Sequence, residues 1–130
     1  MALDLQTVSS AEPITRYINE RSKIKSSTAQ ARYNAFMPPS NRRLSVYRTE
    51  GIDQHEIWQI ADEFVATEKK PVIARADLLA SEFASHDLQI APHPEPHERH
   101  ANVIGWPEDE GRQRIIALEL ASTAVLVTRR

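Results

Sequence analysis

The chain has 130 residues, 41% hydrophobic and 26% charged, with 16 basic against 18 acidic residues and no cysteine. That length and balance predict one folded domain and exclude a disulfide framework, a cysteine-ligated metal and a wholly disordered chain. No apolar run approaches the roughly 20 residues needed to span a bilayer. The opening Met1-Ala2-Leu3-Asp4-Leu5-Gln6 lacks the basic and apolar regions of a secretory signal, so a cytoplasmic protein with no membrane partner is expected.

The first predicted element is a helix over about 11–21. Ser9 and Glu12 have capping-box spacing, Pro13 suits a first turn, and Ile14, Tyr17, Ile18 and Arg21 share a helical face. Residues 22–31 lack periodicity and read as a polar loop. Arg32 to Met37 reads as a short strand stopped by Pro38-Pro39. Leu44 to Arg48 is a clearer strand, with Leu44, Val46 and Arg48 on one face and Ser45 and Tyr47 on the other. Asp53 and Glu56 then cap a helix whose Ile57, Ile60, Ala61, Phe64 and Val65 face a core, closed by Lys69, Lys70 and Pro71. Trp58 widens that apolar face.

Val72 to Arg75 reads as a buried strand, followed by a short helix over about 77–84 and a strand at Leu88–Ile90. Pro92, Pro94 and Pro96 make 91–100 an extended Pro/His-rich loop. Ala101 to Ile104 is a strand ended by Gly105, and a last helix opens near Pro107 and ends near Val125. The repeated strand-then-helix order predicts an α/β or α+β fold. Its sheet is expected to be small, mixed and partly parallel, with about four to five short strands and about four helices.

Two arginines then attract notice. Arg48 and Arg75 each end a predicted strand just before an aspartate-capped helix, Asp53 and Asp77. Parallel strands would bring both guanidinium groups to one carboxyl edge, where ligands of open α/β sheets bind. There they would grip a phosphate, with Arg99, Asn102 and Trp106 shaping the pocket. The competing reading pairs each arginine internally with an acid, the commoner fate of a buried guanidinium.

The segment His93-Pro94-Glu95-Pro96-His97-Glu98-Arg99-His100 holds three of the five histidines. His97 and His100 are candidates for proton exchange in phosphoester chemistry. A metal triad on His93, His97 and His100 would need a helix that the prolines forbid, and no zinc signature occurs, so no metal site is expected. Phosphate-binding glycine loops, a G-x-S-x-G elbow and the dinucleotide fingerprint are absent too, and no cofactor is indicated.

Charge is unevenly spread. From Arg16 to Arg48 eight basic residues face a single acid, Glu20, whereas from Thr49 onward eight basic residues face fifteen acids. Although the net charge of −2 argues against a general nucleic-acid binder, the basic stretch can serve phosphates, nucleic acid or an acidic protein partner. Three functions follow. The leading one is a domain binding a phosphate-bearing ligand, a nucleotide or a nucleic-acid segment. The others are a phosphoester-acting enzyme using His97 and His100, and an accessory or regulatory interaction module without catalysis.

Overall fold

The computed structural model describes residues 4 and 6–129. Its frame is a six-stranded sheet in which every neighbouring pair is antiparallel. In chain order the strands are β1 (Pro13–Ile18), the two-residue pair β2 (Ile24–Lys25) and β3 (Gln30–Ala31), β4 (Leu44–Arg48), β5 (Ala74–Leu79), β6 (Gln89–Pro92), β7 (His100–Ile104) and β8 (Val125–Thr128). The helices are α1 (Gln54–Ile60), α2 (Ala80–Ala84) and α3 (Glu110–Thr123). The sheet order is β6-β7-β4-β1-β5-β8, and β2–β3 forms a separate hairpin. The fold is therefore α+β, and the expected partly parallel sheet of four to five strands with four helices is overturned.

The first expected helix is the central strand β1. Ile14 and Ile18 fall on one face and Thr15 and Tyr17 on the other; all four are buried, as a strand covered on both sides requires. The Ser9–Glu12 pairing survives as a tight turn: the Ser9 N–H donates to the Glu12 carboxylate at 3.1 Å. Arg32–Met37 is no strand; Tyr33–Ala35 is a single 3₁₀ turn. Asp53 does cap α1, accepting from the Glu56 N–H at 2.9 Å, but that helix ends in a π-helical turn over Ala61–Val65, short of Lys69 and Lys70. Asp77 caps nothing, because β5 runs through it to Leu79. The last helix stops at Thr123, and the following Val-Leu-Val-Thr adds the unforeseen edge strand β8.

Two cores flank the sheet. The larger holds Ile14, Ile18, Leu44, Val46, Ala74, Ala76, Ala101 and Val103 beneath α2 and α3. Phe83 from α2 and Ala117, Leu120 and Ala121 from α3 close it. On the opposite face Tyr17 and Tyr47 pack against Ile57, Ile60 and Ala61 of the α1 region. The seven-residue α1 and the π-helical turn after it do not cover the second face fully, so the β4–β7–β6 side of it stays partly open at Ser45, Asn102 and Ala91. Among the described residues no helix is long and apolar enough to cross a membrane.

Candidate functional site

The antiparallel sheet changes where the two arginines go. Arg48 sits opposite Ile14 and Arg75 opposite Tyr17, three residues further along β1. An odd offset puts the two side chains on opposite faces, and three residues of strand separate them by about 10 Å along it. The common carboxyl edge that would have joined them does not exist.

Each guanidinium has its own acid. Glu12 takes Arg48 in a two-pronged pair, Nε to Oε1 at 2.6 Å and Nη2 to Oε2 at 3.0 Å, with both side chains buried. Arg75 Nε donates to Asp77 Oδ2 at 3.0 Å, while its Nη2 donates to Gln54 Oε1. Asp77 also accepts from the Thr15 hydroxyl at 2.8 Å, and the Trp58 ring lies 4.8 Å from the guanidinium. One N–H group of each arginine, Nη1, is buried without a described partner. Arg99 Nη1 donates to the carbonyls of Arg48 and Glu50. Trp106 is buried in the larger core, its indole N–H donating to the Val103 carbonyl at 3.0 Å. Asn102 alone among the expected ligand-binding residues stands half-buried with no side-chain hydrogen bond to a described residue.

The Pro/His loop folds against the open face. Tyr47 packs edge-on against His100, with ring centres 5.3 Å apart, and also meets His97 at 6.4 Å. Phe64 also meets His97 edge-on, with ring centres 4.9 Å apart. His97 Nδ1 accepts the Arg99 N–H at 3.0 Å, so its proton resides on Nε2. His100 Nδ1 lies 2.9 Å from the His93 carbonyl, and His93 Nδ1 lies 3.1 Å from that of Glu95. Carbonyls only accept, so His100 carries hydrogen on Nδ1, which also lies 3.3 Å from His93 Nδ1. The second nitrogen of His100, Nε2, then accepts a hydrogen bond from the Ser45 hydroxyl at 2.6 Å. Burial pushes the His100 pKa below its ordinary value; the bond to His93's carbonyl opposes this and the His93 ring adds to it. His100 is thus neutral near pH 7. Ser45 was not foreseen, although a small hydroxyl between the buried Leu44 and Val46 of a central strand was a readable signal. Among the described residues no group of three or more His, Asp or Glu side chains is placed to hold a metal ion.

A second feature lies across the sheet, at the β2–β3 hairpin. Arg21, Lys25 and Arg32 are exposed and Lys23 is half-buried, and none of the four forms a salt bridge among the described residues. The one acid of the basic stretch, Glu20, is held by Lys70 at 2.8 Å, and that bond keeps its carboxyl below the usual range. Burial, and then the cationic Arg16 nearby, lower the pKa of Lys23. Arg16 itself is tied inward, to the carbonyls of Ala35 and Ser45. Clefts flank the hairpin on both sides. One of about 430 Å³ lies between Arg21, Ile24 and the β8 edge at Leu126 and Arg129. The other, about 270 Å³, is bordered by Lys25, Arg32, Tyr33 and Leu118. Arg114 lies over the Tyr33 ring at 5.5 Å. The chain matches no protein-family model, no curated protein and no solved structure.

Proposed function

We propose that the protein binds a phosphate-bearing chain, a single-stranded nucleic-acid segment, along the β2–β3 hairpin. The observation that carries this reading is a set of four cations, Arg21, Lys23, Lys25 and Arg32, none in a salt bridge among the described residues, with the one nearby acid, Glu20, facing Lys23 but bonded to Lys70. Several cations elsewhere are paired with acids, Arg48 with Glu12, Arg75 with Asp77, Arg129 with Asp62 and Arg42 with Glu108, and Arg16 and Arg99 are bonded to carbonyls. Like charges held close together repel, and a polyanion that replaces its counterions with them relieves that repulsion. Tyr33, beside Arg32 and Lys25, holds the Arg114 guanidinium over its ring at 5.5 Å and so brings a further cation to this cleft. The anchors are therefore exposed side chains of the hairpin, and Arg48 and Arg75 serve the fold.

The test is fluorescence anisotropy with a labelled oligothymidylate, using native protein and the triple variant R21E/K25E/R32E. Three reversals at contacts each contributing about 0.5–1 kcal/mol weaken binding about 10- to 150-fold. The hairpin lies outside the sheet, so the variant keeps the native melting temperature. Binding of a polyglutamate peptide with no binding of the oligonucleotide would transfer the hairpin to an acidic protein partner. Equal oligonucleotide affinity of native and triple variant ends the proposal.

A further inference from the structure

We infer that Ser45 and His100 form a nucleophile–base pair that transfers the acyl group of an uncharged carboxylic ester. This is a separate activity from hairpin binding, on the other face of the sheet. Hairpin residues Ile24 and Ala31 pack into the larger core, whereas Ser45 shares its face with Tyr47.

The argument starts with the strand pairing. Ser45 of β4 lies directly opposite Asn102 of β7, and Tyr47 directly opposite His100. Directly opposed residues project on the same side, so four polar side chains form a block on the sheet's incompletely covered face. Across β7 the row continues to the small, half-buried Ala91. Ser45 and Asn102 are both half-buried and so reachable from solvent.

The hydrogen bonds give each group a direction. The His93 carbonyl, 2.9 Å from His100 Nδ1, fixes the tautomer and turns the Nε2 lone pair to the Ser45 hydroxyl at 2.6 Å. A serine whose proton already points at a neutral imidazole, itself oriented by a third group, is the arrangement nucleophilic catalysis requires. Other groups facing His100 are the rings of His93 and Tyr47, with His97 beyond Tyr47. Among the described residues no carboxylate or guanidinium is bonded to it.

Chemistry then selects the substrate. As Ser45 Oγ bonds to the acyl carbon, its proton moves to His100 Nε2 and the carbonyl oxygen becomes an oxyanion beside the Asn102 amide. Collapse breaks the bond to the leaving alkoxide, which takes the proton from Nε2. Water, deprotonated by the same nitrogen, releases the acid and restores Ser45. A phosphoester brings at least one full negative charge and calls for an uncommitted cation. Arg48, Arg75 and Arg99 are each bonded to an acid or to carbonyls, and the exposed Arg43, two residues before Ser45, lies outside β4. An uncharged ester needs only one dipolar donor, and Asn102 has its amide free of described partners.

The chain has no cysteine, so S45C creates a single thiol at this position and nowhere else. If His100 accepts its proton, iodoacetamide alkylates the thiol with an apparent pKa below the free-cysteine value of about 8.5. In S45C/H100Q the profile returns to that value. With native protein and p-nitrophenyl acetate, an acetyl adduct forms on Ser45, and H100Q slows its formation about 100-fold or more. S45A yields no adduct at its native-like melting temperature, and R21E/K25E/R32E acylates like the native chain whatever its affinity for oligonucleotide. An S45C profile that H100Q leaves unchanged, or ester turnover in S45A as fast as in native protein, overturns the inference.

Discussion

Arg48→Met separates a structural arginine from a ligand anchor. The guanidinium and the Glu12 carboxylate are both buried, at 1% and 3% side-chain exposure, and meet through two hydrogen bonds. Removing one member of such a pair leaves a buried charge uncompensated, at a cost of about 3–5 kcal/mol. Loss of the Thr7 carbonyl's partner adds to that, while removal of the unpaired Nη1 offsets some of it. The lower end, about 3 kcal/mol, is therefore expected. For a chain of this size each kcal/mol moves the melting temperature by about 3–5 °C, so R48M should melt about 10–15 °C below native in thermal circular dichroism. E12L/R48M removes both charges and recovers most of the loss, because an apolar pair of similar volume is commonly no worse than a buried ion pair. If R48M melts within about 3–5 °C (roughly one kcal/mol) of native, the pair contributes little and the reasoning fails.

Glycine at 105 is held at φ +91°, and a Cβ there would stand 3.2 Å from the Asp87 carbonyl oxygen. Gly105→Ala should lower stability by about 2 kcal/mol in urea unfolding, whereas Gly51→Ala, at φ +79° with open space around it, costs about half as much. His100 titrates below its ordinary value in the folded chain because of burial. As pH falls past about 6.5, the unfolded chain takes up a proton that the folded one resists, so stability drops on the acid side and is fully present above neutrality. In H100Q the midpoint of urea unfolding should vary less between pH 7 and 5 than in native protein; an identical slope would contradict the assignment. Trp106→Ala, which empties a buried site in the larger core, should cost about 3–5 kcal/mol by the same measurement.

The sequence was most legible where one period dominated. Leu44–Arg48, the Asp53 cap and the start of α1 all appear where alternation and capping chemistry place them. Pro13–Ile18 satisfies two patterns at once: Ile14, Tyr17 and Ile18 fit a helical stripe, and Ile-Thr-Arg-Tyr-Ile also alternates. Burial on both sides, a tertiary property, decides for the strand. Strand direction was hidden for a related reason. β4 and β5 both run antiparallel to β1 and hence in the same direction as each other, as the strand–helix–strand order implies. The chain inserts β1 between them, and no local signal reports an intervening strand from 30 residues earlier. That insertion also sent Arg48 and Arg75 to opposite faces. Glu12, the partner of Arg48, was read as a capping residue, and its longer-range role depends on the turn that brings Ser9–Glu12 beside β4. The Pro/His loop was recognised as a polar cluster, but its meeting with Ser45 depends on the β4–β7 register.

The central claim, that four unneutralised cations of the β2–β3 hairpin grip a phosphate chain, is tested most directly by the salt dependence of oligothymidylate binding. Four contacts release counterions with a slope of log K against log salt of about −3, and R21E/K25E/R32E, which leaves Lys23 alone, reduces it to about −1 or less. A slope that is near zero in native protein, or unchanged in the variant, would contradict the account.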